Sequence, residues 1–377
     1  MHSLSRRTAF HTWVLIALTS GSAYGGIADR LLRGGAGDGK IAKYQYTLHD
    51  NMFVTSVAWS PDGKYIAATS TQTPALHLWD LKTRKLVANI PRDDLGDMHE
   101  LSWSPDGRFL PLCGARGKLR IYSAPDLAEV RTILQTDKRS CQMTAFSSDG
   151  SRFAGLGVIN RTLEIYSTSD WQLLRHYDNS SGWARGHAFD SIAYIPNTLT
   201  LAVGGGEFEH RGRNPMDGYI FFYDPDDAEP SRRLLVYQDD PVLGLPGQVR
   251  ILAFSPDGKR VATGTDTGSG ISFGNYIKVG VRVLDVADGR VVGGPFDGSK
   301  QSRAGGLEYT SDGRYLITGH QGNRDSLIHI LDAKTAKIAD AVPAGDTVWD
   351  VTVNPRGGEF AAGVGKSIIV WSLPIRP

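Results

Sequence analysis

The chain of 377 residues is 41% hydrophobic and 21% charged, which supports a buried core and excludes a chain that is disordered throughout. Its 41 Lys and Arg residues nearly balance 40 Asp and Glu residues, which argues against a nucleic-acid binder that relies on phosphate neutralisation. Two cysteines exclude a disulfide framework, and no apolar run approaches the roughly 20 residues of a membrane-spanning helix.

Residues 1–23 have the pattern of an export signal. The pair Arg6-Arg7 precedes a short apolar run at residues 13–18, and residues 21–23 are the small residues that a signal peptidase reads. A second possible cut follows Ala28. The pattern predicts a periplasmic or secreted protein, and the arginine pair leaves open whether export uses the general or the twin-arginine route.

Residues 24–42 are predicted to be a flexible lead-in, because they contain the Gly-rich stretch 34–40. The alternative is that residues 1–42 are the frayed tail of a cytosolic protein, and that reading stays open here.

One short block recurs along the rest of the chain: an aromatic residue followed by a turn of the Ser-Pro-Asp-Gly type. Pro presets the first central position of a type I turn, and Gly accepts the left-handed position that follows it. Each block therefore predicts a hairpin turn between two strands. The copies are Trp59-Ser60-Pro61-Asp62-Gly63, Trp103-Ser104-Pro105-Asp106-Gly107, Phe146-Ser147-Ser148-Asp149-Gly150, Tyr194-Ile195-Pro196-Asn197, Phe254-Ser255-Pro256-Asp257-Gly258, Tyr309-Thr310-Ser311-Asp312-Gly313 and Val353-Asn354-Pro355-Arg356-Gly357.

A second block follows each turn. It is an alternating strand with a characteristic ending: Trp79-Asp80, Tyr122-Ser123, Tyr166-Ser167, Tyr223-Asp224, Leu284-Asp285, Leu331-Asp332 or Trp371-Ser372. A further strand comes after most of them, as at residues 85–90, 129–134 and 173–177. Four short strands in about 45 residues, without helical periodicity, are typical of a propeller blade.

Repeated W-S-P-D-G turns and the Trp-Asp dipeptide resemble the WD40 repeat, and the resemblance covers residues 43–373. Seven copies imply an all-β, seven-bladed propeller. The orphan strand at residues 44–48 would complete the last blade and close the ring, which removes exposed sheet edges. The chain departs from the family in that the aspartates of its buried hydrogen-bond network are not evident, and only Gly186-His187 lies near the family's Gly-His position.

The connections that the fold places on one face, which we call the mouth face, are enlarged in blades 4 to 6. They span residues 204–217, 264–276 and 319–326, and the connections that precede blades 4 and 5, residues 178–187 and 239–247, are long as well. Aromatic and Arg residues dominate interface energetics, so these loops predict a protein-binding surface. The alternative is a set of tolerated insertions with solvated charges. The candidate partner-binding residues are Trp183, Glu207, Glu209, His210, Arg211, Arg213, Asp217, Tyr276, Arg324 and Asp325.

A second candidate is the ring of residues that lie four positions before each turn aromatic. These residues are expected to surround the mouth of the central channel: Thr55, His99, Gln142, Asp190, Arg250, Gly305 and Trp349. Convergent polar groups at a pore mouth are typical of a small-ligand or peptide-terminus site. In that alternative, His99, Gln142, Asp190, Arg250 and Trp349 are the site, and Asp190 is placed to pair with Arg250. The structural interpretation is that the ring ties neighbouring blades together.

Three other chemistries find little support in the sequence. Gly270-Ile271-Ser272-Phe273-Gly274 matches a nucleophile elbow, but it lies in a Gly-rich loop with no helix to follow. His99, His187 and His210 have no fixed metal-ligand spacing, so no metal is predicted. Cys113 and Cys141 are expected to be free thiols, with a staple between blades as the alternative.

Together these patterns predict an exported, non-catalytic platform without a cofactor, which binds a protein partner through the mouth-face loops. We expect no nucleic-acid binding, no membrane span, and a monomeric propeller within a complex. The alternatives are a propeller enzyme or small-ligand-binding protein that uses the channel mouth, and a cytosolic scaffold.

Overall fold

A computed structural model of the protein describes residues 41–70, 75–90, 101–113, 118–134, 143–157, 162–177, 187–207, 217–237, 248–265, 280–297, 303–321 and 327–374. Regular secondary structure in these ranges consists of β-strands, and none of them contains a helix of the length and apolarity that crosses a membrane. The predicted signal at residues 1–23 lies outside the described residues, as does the lead-in up to residue 40.

The recurrent turns have the predicted geometry. In blade 1, Gly63 has φ +76° and donates its N–H to the Ser60 carbonyl at 2.9 Å. The Ser60 hydroxyl donates to Asp62 Oδ1 at 2.7 Å and accepts the Tyr65 N–H at 2.9 Å. The block recurs because each of its side chains satisfies one group of the hairpin.

The degraded fourth copy of the turn is compensated by its neighbour. Asn197 takes the left-handed conformation there, at φ +63°, which Asn tolerates better than most residues. Its backbone N–H donates to the Ser148 hydroxyl at 3.1 Å, and Ser148 stands where most other blades have proline. The two departures from the repeat therefore contact each other.

The strands form seven antiparallel sheets, and within each blade the strands follow one another in sequence. Blade 1 contains β2 Ser56–Trp59, β3 Tyr65–Thr69, β4 Leu76–Asp80 and β5 Lys85–Ile90; blade 2 contains β6 Phe109–Cys113, β7 Lys118–Ser123 and β8 Glu129–Leu134; blade 3 contains β9 Met143–Phe146, β10 Arg152–Gly157, β11 Thr162–Ser167 and β12 Leu173–Tyr177; blade 4 contains β13 His187–Tyr194, β14 Leu201–Glu207, β15 Gly218–Tyr223 and β16 Arg232–Tyr237. Blade 5 contains β17 Val249–Phe254, β18 Arg260–Thr265, β19 Gly280–Asp285 and β20 Val291–Asp297; blade 6 contains β21 Arg303–Tyr309, β22 Tyr315–Gln321, β23 Leu327–Asp332 and β24 Ile338–Pro343; blade 7 contains β25 Val348–Val353, β26 Glu359–Val364 and β27 Ser367–Ser372, and β1 Lys43–His49 joins it.

The ring is closed as the sequence predicts. β1 pairs antiparallel with β27, from Lys43 opposite Ser372 to His49 opposite Ser367. Asp340 on β24 also accepts the backbone N–H groups of Ile41 and Ala42, at 3.1 and 2.9 Å. The two ends of the described chain therefore meet in one sheet, and the seven-bladed propeller is confirmed.

Blade 2 departs from the four-strand prediction, because its described residues form a sheet of three strands. Pro111 on β6 has no backbone N–H to donate, so a ladder on that strand loses one hydrogen bond. Residues 101–104 take the inner position without forming a strand. Neighbouring blades hold them instead: the Leu101 N–H donates to Ser56 Oγ at 3.1 Å, and the Ser102 and Thr144 hydroxyls are 2.8 Å apart.

Candidate functional site: the central channel

The first strand of each blade, which we call the inner strand, lines the centre of the ring, except in blade 2, where residues 101–104 take that place. Successive inner strands β13, β17, β21, β25 and β2 contact one another. Together with residues 101–103 and Met143, they line a cavity of about 770 Å³ that extends from the mouth residues Thr55, Asp190, Arg250 and Trp349 to the turn prolines of the opposite face. This cavity is the central channel, and its volume lies within the range of small-ligand sites.

A shared backbone irregularity sets the mouth of the channel. In blades 4 to 7 the register between the first and second strands shifts at the same place, so that one extra residue bulges from the inner strand. The bulged residues are Asp190, Arg250, Gly305 and Trp349. A β-bulge re-aims the side chain that it carries, and bulges are frequent beside functional sites.

The described part of the predicted mouth ring does line the channel. Asp190 is 7% exposed, and the Arg250 guanidinium donates from Nη2 to Gln248 Oε1 at 2.7 Å. The indole N–H of Trp349 has no acceptor among the described residues. His99 and Gln142 lie outside the described residues, and the pairing of Asp190 with Arg250 stays a prediction.

Residues just below the mouth ring tie neighbouring blades together. The Ser56 hydroxyl donates to Asp350 Oδ2 at 2.9 Å, across the contact between blades 1 and 7. Ser191 on blade 4 donates to the Val249 carbonyl on blade 5 at 3.1 Å. Glu308 on blade 6 accepts the Val353 N–H of blade 7 at 2.8 Å. These side chains link neighbouring blades, which is the role that the structural interpretation assigned to the ring above them.

Glu308 and Asp350 are the channel residues that sequence reasoning missed. Burial, with a smaller contribution from the Asp350 carboxylate, raises the pKa of Glu308 to about 8, against hydrogen bonds from the Val353 N–H and Thr352. Burial likewise raises the pKa of Asp350 to about 7, against hydrogen bonds from Val57, Ser56 and Val351. Part of each residue still faces the channel. Aligning the repeats exposes Glu308, since the same position holds Ala58, Ser102, Ala145, Ala193, Ala253 and Thr352.

Blade 1 also contains a buried network that the sequence analysis did not find. Asp50, in the connection before β2, accepts a hydrogen bond from His77 Nδ1 at 2.9 Å and from Trp79 Nε1 at 3.1 Å. Its other oxygen accepts the Met52 N–H at 3.0 Å. The structure therefore shows a buried, hydrogen-bonded aspartate in this blade, where none was evident from the sequence. Asp50 could not be identified from the sequence, because it lies 27 residues from His77 and belongs to no local motif.

Most of the candidate partner-binding residues lie outside the described residues: Trp183, Glu209, His210, Arg211, Arg213, Tyr276, Arg324 and Asp325. Glu207 ends β14, opposite His187, and its side chain is not described. Asp217 is half-buried and accepts a hydrogen bond from the Tyr219 hydroxyl at 3.5 Å. Asp217 thus contacts β15, the strand that it precedes. The proposed contacts with a partner stay predictions.

The strand ends show where the long connections leave the ring. In blades 4 and 5 the second and third strands are joined by residues 208–217 and 266–279, whereas residues 114–117 and 158–161 do so in blades 2 and 3. In blade 6 the connection consists of residues 322–326, because β22 continues to Gln321, so the predicted enlargement does not extend to that blade. Because the inner strand runs from the mouth to the turn and the second strand runs back, these connections lie on the mouth face. The two long ones belong to blades 4 and 5, whose inner strands carry Asp190 and Arg250.

The remaining candidate chemistries receive no new support. Within the described ranges, no group of three or more His, Cys, Asp or Glu residues is placed to hold a metal ion. Cys113 ends β6, but its side chain is not described, and Cys141 lies outside the described residues, as does the Gly270–Gly274 segment.

Comparison with known proteins agrees with the architecture. The family profile described as WD domain, G-beta repeat matches residues 42–80 and 240–269. The periodic tryptophan protein 2 homolog of Dictyostelium discoideum is 26% identical over 40% of this chain and 18% of its own length. An uncharacterized WD repeat-containing protein of Synechocystis is 26% identical over 40% of this chain and 41% of its own length. The chain spans less than half of either relative.

A solved structure has the same architecture. Hydrazine synthase of Kuenenia stuttgartiensis superposes with a TM-score of 0.70, over 86% of this chain and 96% of that chain. The two sequences are 16% identical, so the likeness concerns the fold alone.

Proposed function

Because this chain carries WD40 repeats and folds as a seven-bladed β-propeller, we propose that it is a non-catalytic platform that binds a protein partner. One observation carries the proposal: the connections of blades 4 and 5 on the mouth face are much longer than those of blades 2 and 3. Loops on a rigid scaffold are where binding residues concentrate.

The binding surface that we propose consists of the mouth-face loops of blades 4 to 6. Their Trp and Arg residues would bury against the partner, since these residue types dominate interface energies. The mixed charges around them, such as Glu209 and Arg213, would set the register of the complex. The strands at the base of these loops give the surface a rigid support, because they are continuous with the ring.

We further propose that the protein is exported, on the pattern of residues 1–23. Removal of the signal would not remove any residue of the described ring. The most N-terminal described contact is that of Ile41 with Asp340, so a cut after Ala23 or Ala28 leaves every described strand in place.

Affinity purification from native cells tests the platform. A variant with Trp183, His210, Arg211 and Arg213 all changed to Ala is compared with wild type. We expect wild type to capture a near-stoichiometric partner and the variant to lose at least about tenfold of it, which corresponds to one or two hot spots. The same mass spectra identify the mature N-terminus, expected at residue 24 or 29.

The matched control for this experiment combines Arg108→Ala and Arg290→Ala, on exposed turns of the opposite face. It should retain the partner. A folded wild type that captures nothing, or a loop variant that captures as much as wild type, contradicts the platform. A mature protein that still begins at Met1 contradicts export.

A second candidate function is small-ligand binding in the channel, favoured by the cavity of about 770 Å³ and its bulged mouth residues. A thermal-shift screen of small metabolites should then find a compound that stabilises the protein by about 2.7 kcal/mol at a hundred times its dissociation constant. We expect the variant with Arg250→Met and Trp349→Ala to lose that response, and the four-residue loop variant to keep it. The opposite pattern, or a screen without responders, counts against the channel.

A further inference from the structure

The inner strands of blades 6 and 7 carry two acidic residues at positions that are small or neutral in most other blades. Glu308 stands where four blades have alanine. Asp350 stands where blades 1 and 4 have Ser56 and Ser191. Space for the second carboxylate exists because its neighbour is Gly306, whose added Cβ would lie 2.8 Å from Asp350 Oδ1. A side chain at position 306 would therefore collide with this carboxylate and with the Val351 backbone N of blade 7.

Each of the two carboxylates links its blade to the next one. Glu308 Oε2 accepts the Val353 N–H at 2.8 Å, from blade 6 to blade 7. Asp350 Oδ2 accepts the Ser56 hydroxyl at 2.9 Å and the Val57 N–H at 3.0 Å, from blade 7 to blade 1. Both sides of blade 7 are thus held at the channel by an acidic side chain.

Blade 7 is also where the ring is closed by pairing between two strands that are far apart in sequence, β1 and β27, and not by the covalent chain. The outer half of that closure is the ladder between β1 and β27. Its inner half is the contact of Asp350 with Ser56 and Val57, because β1 leads directly into blade 1. Opening the ring at this point requires both halves to separate. We call these two halves the closure seam.

The charged groups around Glu308 and Asp350 do not stabilise the ionised forms of these two carboxyls. The pKa of Asp350 is raised by burial alone, against its three hydrogen bonds, and that of Glu308 by burial and by Asp350; no cation is among these causes. Other charged or titratable groups on the packed strands and across the channel are Arg303, Tyr309, Tyr315, His320, Glu359, Asp190 and Arg250, of which Arg303 and His320 have side chains outside those described.

The direction of the pH effect follows from these shifts. A carboxyl whose pKa is higher in the folded ring than in the unfolded chain favours the ring fully below the unfolded value and loses that contribution as the pH rises through the folded value. For this pair the loss runs from about pH 4 to about pH 8. Ionising both groups places two negative charges in one channel wall.

We propose that Glu308 and Asp350 make closure of the propeller ring proton-dependent, so that the seam between blades 7 and 1 holds when the two carboxyls are neutral and opens more readily when both are ionised. The device is independent of the proposed partner, since it lies in the channel wall and not in the mouth-face loops.

Hydrogen exchange of the full chain at pH 6 and pH 9 tests the proposal, with each rate divided by its intrinsic value at that pH. We expect the amides of β1, β27 and β25 to be at least about tenfold less protected at pH 9 than at pH 6. A tenfold change in the opening equilibrium corresponds to a pKa shift of one unit. Amides of β10 and β11 in blade 3, far from the seam, should change much less. The double variant Glu308→Gln with Asp350→Asn should show equal protection of the seam at both values.

Two further variants complete the test, one as an independent substitution at Glu308 and one as a control. Glu308→Ala installs the residue of four other blades and should reduce the pH difference even if the double variant fails to fold. Asp257→Asn alters a turn carboxyl whose pKa is lowered by the Ser255 hydroxyl and the Lys259 N–H, so it should leave the seam's response as in wild type. Equal seam protection in wild type at both pH values overturns the proposal. So does a loss spread evenly over all blades, or a pH difference that survives in Glu308→Ala and in the double variant.

Discussion

Gly305→Ala is expected to lower the free energy of unfolding by about 3 kcal/mol, the upper end for overpacking a close-packed contact. A Cβ at this bulged residue would lie 2.2 Å from the Val348 carbonyl oxygen and 3.2 Å from the Trp349 carbonyl oxygen. Both atoms belong to the backbone of blade 7, so relief requires the inner strands of blades 6 and 7 to move apart. Urea denaturation followed by tryptophan fluorescence measures the loss.

The control for that substitution is Gly345→Ala. Gly345 has φ +81° and nothing within 4 Å of an added Cβ, so it carries the backbone strain of a left-handed residue without a clash. Its expected cost is about 1 kcal/mol. If Gly305→Ala unfolds at the same urea concentration as wild type, the tight contact between blades 6 and 7 is not present in solution.

Asp50→Ala is expected to cost about 3 kcal/mol, because three donors lose their acceptor: His77 Nδ1, Trp79 Nε1 and the Met52 N–H. Buried polar groups that are left without a hydrogen-bond partner cost this much. Asp62→Ala is the matched control. Its carboxylate makes a similar number of hydrogen bonds, but its side chain is 42% exposed, and water replaces the lost partners. Urea denaturation of both variants gives the comparison; equal losses would contradict a special role for Asp50.

Asp50 and the channel carboxyls respond to pH in opposite directions. Burial raises the pKa of Asp50, but hydrogen bonds from His77, Met52 and Trp79 outweigh it and leave that pKa below its ordinary value. Its contribution to stability is present above the unfolded pKa near 4 and lost at lower pH. Stability of wild type should therefore fall on the acid side through Asp50 and on the alkaline side through Glu308 and Asp350. Unfolding midpoints measured from pH 3 to pH 9 in wild type and in Glu308→Gln separate the two limbs.

The sequence by itself determined the architecture, because the signals for it are local. Ser60 and Asp62 satisfy their own hairpin within five residues, and the alternation of apolar side chains marks each strand. The closing strand was predictable for the same reason, since residues 44–48 alternate like a strand and have no hairpin partner nearby. The mouth ring followed from counting back from each turn, and its described members do line the channel.

Only the tertiary structure decided how the channel wall is held together. The link from Asp350 to Ser56 joins residues 294 positions apart, and the link from Glu308 to Val353 crosses 45 positions, so no local pattern marks either pair. The bulges at Asp190, Arg250, Gly305 and Trp349 depend likewise on register between strands. The carboxyls acquire their raised pKa values from burial between blades, which exists once the ring is closed. Local chemistry sets the turns and strands of each blade, and contact between blades sets the geometry and charge of the channel.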